Sequence, residues 1–162
     1  MDTDTTTSQT VRRVVVEELY CEAMALADEA RDTFDPRASD DGEKLSDEVR
    51  IALSIEGLRT TTRLMNVLAW LLNQRAFFDG ELTEKQVRKS GGLPPERPPL
   101  AGTVEKLPLM VRSLVRESER LHDRVARIDA DWRASQRVGQ SPGTAANDAN
   151  ALQSQLKAAF AA

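Results

Sequence analysis

A chain of 162 residues, 40% of them apolar, has room for one domain with a core of ordinary size. A formal charge of -4 works against indiscriminate binding to nucleic acid, and a single cysteine, Cys21, excludes a disulfide framework and a cysteine-based metal site. No apolar run approaches the roughly 18 residues that a membrane helix needs, and no signal-peptide pattern is present, so a cytoplasmic location is expected.

The charge is unevenly spread. Residues 1–48 carry -9 and residues 49–162 carry +5. The acidic third either docks on the basic remainder or steers two copies together. Aromatic residues make up 4%, and Ala, Leu, Arg and Glu, which lose least on entering a helix, dominate.

In chain order, residues 1–10 are rich in Thr, Asp and Ser and read as a disordered arm. From Val11 the apolar positions Val15, Leu19, Ala23, Leu26, Ala30 and Phe34 recur at steps of three and four, one stripe of a helix. Pro36 and Gly42 interrupt it. A second helix is predicted from about Leu45 to Phe78, with two apolar seams. One is Ile51, Ile55, Leu58, Thr62, Met65, Ala69, Leu72 and Ala76; the other is Leu53, Gly57, Thr60, Leu64, Val67 and Leu71. At 3.6 residues per turn the seams lie roughly 150° apart, so this helix must bury two sides. It is the centre of a bundle or half of a dimer interface. The narrow strip left over carries Glu56, Arg59, Arg63, Asn66 and Asn73, but also Trp70 and Phe77.

Asp79-Gly80 forms a turn, and Thr83 with Gln86 is the capping box of a short helix. Residues 90–102, with Pro94, Pro95, Pro98 and Pro99, form a stiff surface linker. A third helix follows on the heptad seam Leu107, Val111, Leu114, Ser118, Leu121, Val125, Ile128 and Trp132. Pro108 is tolerable only in its first turn. Residues 135–162 read as a flexible tail ending in a short amphipathic patch of Leu152, Leu156, Ala159 and Phe160, then Ala161 and Ala162. The expected fold is thus an all-α, antiparallel three-helix bundle over residues 11–134, with a short extra helix, a Pro-rich linker and flexible termini.

No catalytic constellation stands out, and no cofactor or metal site is expected. His122 has only Asp123 beside it, which a helix points about 100° away, so it reads as a boundary histidine. Cys21 lies among Glu17, Glu18 and Glu22, which disfavour a thiolate. Arg112, Arg116, Arg120, Arg124 and Arg127 form a stripe, but Glu119, Asp123 and Asp131 are interleaved with it, which suits solvent or an acidic protein better than phosphates. Trp70 and Phe77, with Arg63 or Asn66 as a polar rim, are either interface anchors or covered by the third helix or the linker. Leu152, Leu156 and Phe160 are either a tethered recognition peptide or a frayed tail.

The stretch Ser54-Ile55-Glu56-Gly57-Leu58-Arg59-Thr60-Thr61-Thr62-Arg63-Leu64-Met65, continuing through Ala69-Trp70-Leu71-Leu72-Asn73-Gln74-Arg75-Ala76 to Asp79-Gly80-Glu81-Leu82-Thr83, resembles the RcdA family, the regulators of CtrA degradation in alphaproteobacteria. The resemblance extends from about Val11 to Trp132. It implies a homodimeric three-helix bundle acting as a non-enzymatic adaptor. Such an adaptor helps the ClpXP protease receive cell-cycle cargo together with the accessory adaptors CpdR and PopA, in the cytoplasm and concentrated at the cell pole. It implies no enzyme active site. Phe160-Ala161-Ala162 also resembles a degradation tag read by ClpX. The competing reading is a structural helical-bundle module for oligomerisation with no delivery role. No membrane or nucleic-acid partner is expected.

Overall fold

The computed structural model describes residues 2–35 and 45–138. It divides into two units, residues 1–126 and residues 127–162. The helices are α1 (Asp2–Thr33), α2 (Asp47–Phe78), α3 (Glu84–Ser90) and α4 (Leu109–Val138), with a 3-10 turn over Val104–Lys106.

Helix α1 begins nine residues before the apolar stripe does, which corrects the expected arm at the level of backbone. The Thr10 hydroxyl donates to the Thr6 carbonyl at 2.9 Å. Residues 6–10 are exposed and take no part in the core. The buried stripe is Val16, Leu19, Ala23, Leu26 and Ala30, while Val11 is 57% exposed. Ser46 caps α2 by accepting from Val49 N, and Asp47 and Glu48 occupy the first turn. At its other end the Asp79 N–H bonds to Arg75 O and Gly80 takes φ 78°, a left-handed angle that glycine adopts at no cost. The Thr83–Gln86 capping box of α3 is present with both reciprocal bonds. Pro108 stands just before α4 and its carbonyl accepts from Arg112 N, so the ring costs no helical bond.

The core of the first unit holds Val16, Leu64, Val67, Leu71, Leu114, Val115, Leu121 and Val125, all nearly or wholly buried. Each such side chain contributes about 1.5–3 kcal/mol relative to exposure. The predicted seam of α4 is buried from Leu107 to Val125. Helices α1 and α2 are antiparallel: Arg13 meets Asp79 at 2.6 Å, Glu17 meets Arg75 at 2.8 Å, and Phe34 lies against Gly57.

Helix α4 differs from the antiparallel expectation. Its start lies beside the start of α2, with Lys106 Nζ 3.3 Å from Glu48 and with Leu107, Val111 and Val115 clustered on Ala52. Farther along, Ser118 bonds to Arg63. Helices α2 and α4 therefore run parallel. A short loop would force an antiparallel neighbour, but residues 79–108 return to the starting end. Helix α2 is about 48 Å long at 1.5 Å per residue. The irregular stretch 91–103 spans at most about 47 Å, and it runs back along the bundle as a strap, with Glu96 on Arg63 and Pro94 on His122.

Candidate functional site

The two seams of α2 have opposite fates. Gly57, Thr60, Leu64, Val67 and Leu71 are buried, whereas Ile51 is 60%, Leu58 72%, Met65 65% and Leu72 48% exposed. These four exposed residues are spaced by seven and form one apolar stripe along the helix. Such a stripe is what a neighbouring helix packs against with knobs in holes.

The narrow strip between the two seams is largely inside. Glu56 is 0%, Arg63 3% and Trp70 4% exposed. The guanidinium of Arg63 donates through Nη1 to Ser118 Oγ at 2.6 Å and through Nε to Glu96 Oε1 at 2.6 Å, with a further contact from Nη2 to Glu96. Glu119 lies 3.5 Å from the same Nη2. One turn back, Arg59 donates to Glu56 Oε1 at 3.1 Å and to the Arg97 carbonyl at 2.8 Å. His122 Nε2 donates to the Pro94 carbonyl at 3.1 Å. Two arginines and His122 thus hold the strap, whose residues 94–100 are otherwise exposed. Burial pushes the Glu119 carboxyl above its ordinary pKa; Arg63 opposes that and Glu96 and Glu56 reinforce it. Glu56 Oε2 and Thr60 Oγ1 are buried without a hydrogen-bond partner among the described residues. Between α2 and the strap lies an open groove of about 510 Å³, lined by Leu58, Arg59, Thr62, Arg63, Pro94 and Pro95 among others.

The DUF1465 family model, a protein family of unknown function, matches residues 7–160. The crystal structure of RcdA from Caulobacter crescentus CB15 is similar at 31% identity and a TM-score of 0.55, over 70% of this chain and 87% of that one. The chain belongs to the RcdA family. No curated protein matches it at a significant level.

Within this RcdA-family chain, the residues expected to bind partners have separate settings. Arg59 and Arg63 are brought together, but by intramolecular carboxylates and the strap. Trp70 is enclosed in the bundle, so of its two open readings the covered one describes this chain. Phe77 is half-buried and stacks at a tilt on Phe78, ring centroids 5.5 Å apart. Leu152, Leu156, Phe160, Ala161 and Ala162 lie outside the described residues. Glu96 and Ser118 complete the network and carry no local sequence signal, being 33 and 55 residues from Arg63. His122, read as idle, anchors the strap; its Nδ1 is 4.0 Å from Asp123, too far to hydrogen-bond. Among the described residues no group of three His, Cys, Asp or Glu is placed to hold a metal ion, and no helix is long and apolar enough to cross a membrane.

Proposed function

We propose that this chain is a non-enzymatic adaptor in regulated proteolysis, a homodimer in its resting form that delivers cell-cycle regulatory proteins to the ClpXP protease. Membership of the RcdA family supports this reading. The observation that carries it is the stripe of Ile51, Leu58, Met65 and Leu72, exposed at heptad spacing along one face of α2. Large apolar side chains exposed in a row cost solubility and are characteristic of a surface that meets another protein. A second copy offers the same stripe and can cover it. Cargo using that surface would compete with the second copy by mass action. The adaptor works in the cytoplasm, concentrated at the cell pole, with accessory adaptors as further partners. Phe160-Ala161-Ala162 would make the chain a substrate of the same protease.

The test is degradation of a cell-cycle cargo by purified ClpXP with the chain added. The unaltered chain is expected to accelerate degradation, and the double variant Leu58→Asp, Met65→Asp is expected to lose that effect while staying helical. Equal delivery by both sinks the reading. The runner-up, a structural oligomerisation module, predicts a dimer that persists on dilution and no effect on degradation. Turnover of the chain itself by ClpXP should slow when Ala161 and Ala162 are replaced by Asp; unchanged turnover removes the tag.

A further inference from the structure

The strap is joined to the bundle in an unusual way for a connection. Its backbone is held by polar side chains that reach out from α2 and α4: Arg59 to the Arg97 carbonyl and His122 to the Pro94 carbonyl. Its own contribution is one carboxylate, Glu96, set on Arg63 with Arg59 at 3.7 Å. Glu96 is a surface residue whose side chain is 26% exposed, whereas the Arg63 side chain is 1% exposed. A nearly buried guanidinium is therefore paired with a group on an exposed segment.

Both arginines keep partners if Glu96 leaves. Arg63 retains Ser118 and Glu119, and Arg59 retains Glu56. In that state two guanidinium groups face two carboxylates, and neither positive charge is stranded. Removal of the third carboxylate thus avoids the large penalty of an unpaired buried charge. What remains is a pair of donors at the base of an open groove, with Leu58 and Thr62 on one wall. Leu58 is 72% exposed, which places an apolar rim beside the two guanidinium groups.

We infer that Arg59 and Arg63 form a recognition site for an extended acidic segment of a partner protein, and that Glu96 is its built-in competitor. The fitting ligand is a glutamate or aspartate with apolar neighbours in extended backbone, since the strap shows that this chemistry seats there. The carboxylate takes the place of Glu96 on Arg63 Nε, while the apolar neighbour covers Leu58. Exchange of one carboxylate for another leaves the charge of the site unchanged. The site has specificity for acidic over neutral peptides, and its affinity falls with salt because the incoming charge is partly exposed. The inference does not depend on delivery to a protease.

The experiment uses the full chain and a fluorescent, end-capped octapeptide with the sequence of residues 93–100, alongside a second octapeptide in which its glutamate is glutamine. Affinity is read by anisotropy, and engagement by the Nε–Hε resonance of Arg63. Glu96→Ala lies on the exposed strap, so the fold should be kept, and a melting curve checks it. That variant is expected to bind the acidic peptide about tenfold more tightly than the unaltered chain, the gain for a site freed from a competitor that fills it about nine-tenths of the time. The glutamine peptide should bind neither protein. Adding Arg59→Gln should abolish the gain. Equal binding of the two peptides overturns the proposal, as does a Glu96→Ala chain that binds no better than the original.

Discussion

Gly57 of α2 sits against Phe34, just past the end of α1. A Cβ built there would stand 2.9 Å from Phe34 Cδ1 and 3.1 Å from Cγ, closer than packed carbons tolerate. Alanine at position 57 gains about 1 kcal/mol of helix propensity but forces Phe34 aside, an overpacking cost of about 1–3 kcal/mol. Gly57→Ala is expected to lower stability by about 1 kcal/mol in urea unfolding, and Phe34→Leu in the same chain should recover part of it. Charge pairs divide by depth. Arg63→Ala leaves Glu96 with Arg59 alone, takes the cation beside Glu119 and empties a buried position, so about 3 kcal/mol should be lost; Arg13→Ala breaks a pair with Asp79 that is half in solvent and should cost under about 1 kcal/mol. Glu119 holds its proton more tightly in the folded chain than its ordinary value of 4.5 allows. Its contribution to stability is therefore greatest below that ordinary value and is lost as pH rises through the folded one. Glu119→Gln should be the more stable protein near neutral pH, with the advantage closing as pH falls to about 4, measured by urea midpoints across that range.

The elements were legible in the sequence to different depths. Thr83 and Gln86 announce α3 because a capping box is local, needing only residues three apart. Thr83→Ala should raise amide exchange at Gln86 and Val87 by about fivefold, for a loss of about 1 kcal/mol, and leave α4 untouched. The heptad seam of α4 was equally plain, since Leu107 to Val125 meet one uniform environment. The start of α1 was missed because threonines and aspartates have poor helix propensity and nothing apolar marks those turns. In α2 the positions of both apolar seams were visible, but not which seam faces inward. Hydrophobic periodicity ranks the faces, and a buried Glu56–Arg59–Arg63 row lowers the apparent hydrophobicity of the very face that packs. That row is inside because its charges find partners on the strap and α4, and no spacing rule reaches across such distances.

At the scale of the whole first unit, the connection between α2 and α4 decides the architecture. A brief turn would have produced three successive antiparallel rods; thirty residues with five prolines bring α4 back beside the start of α2. The uneven charge along the chain is met in part by internal pairs, Glu17 with Arg75, Glu22 with Arg124 and Glu48 with Lys106. Their exposure means that they orient the helices more than they stabilise them.

The seven-residue spacing of Ile51, Leu58, Met65 and Leu72 also constrains what a second copy must do. The outermost pair is about 32 Å apart along the axis, so coverage demands a lengthwise rod of about three heptads, which α2 itself supplies. A two-fold axis perpendicular to that rod sets Ile51 against the second copy's Leu72 and Leu58 against its Met65, the self-complementary pattern of an isologous contact. The axis then passes near Thr61 and Thr62. A Thr62→Cys chain with Cys21→Ser should oxidise to a covalent pair at low concentration, while a cysteine at Ser54, displaced from the axis, should not.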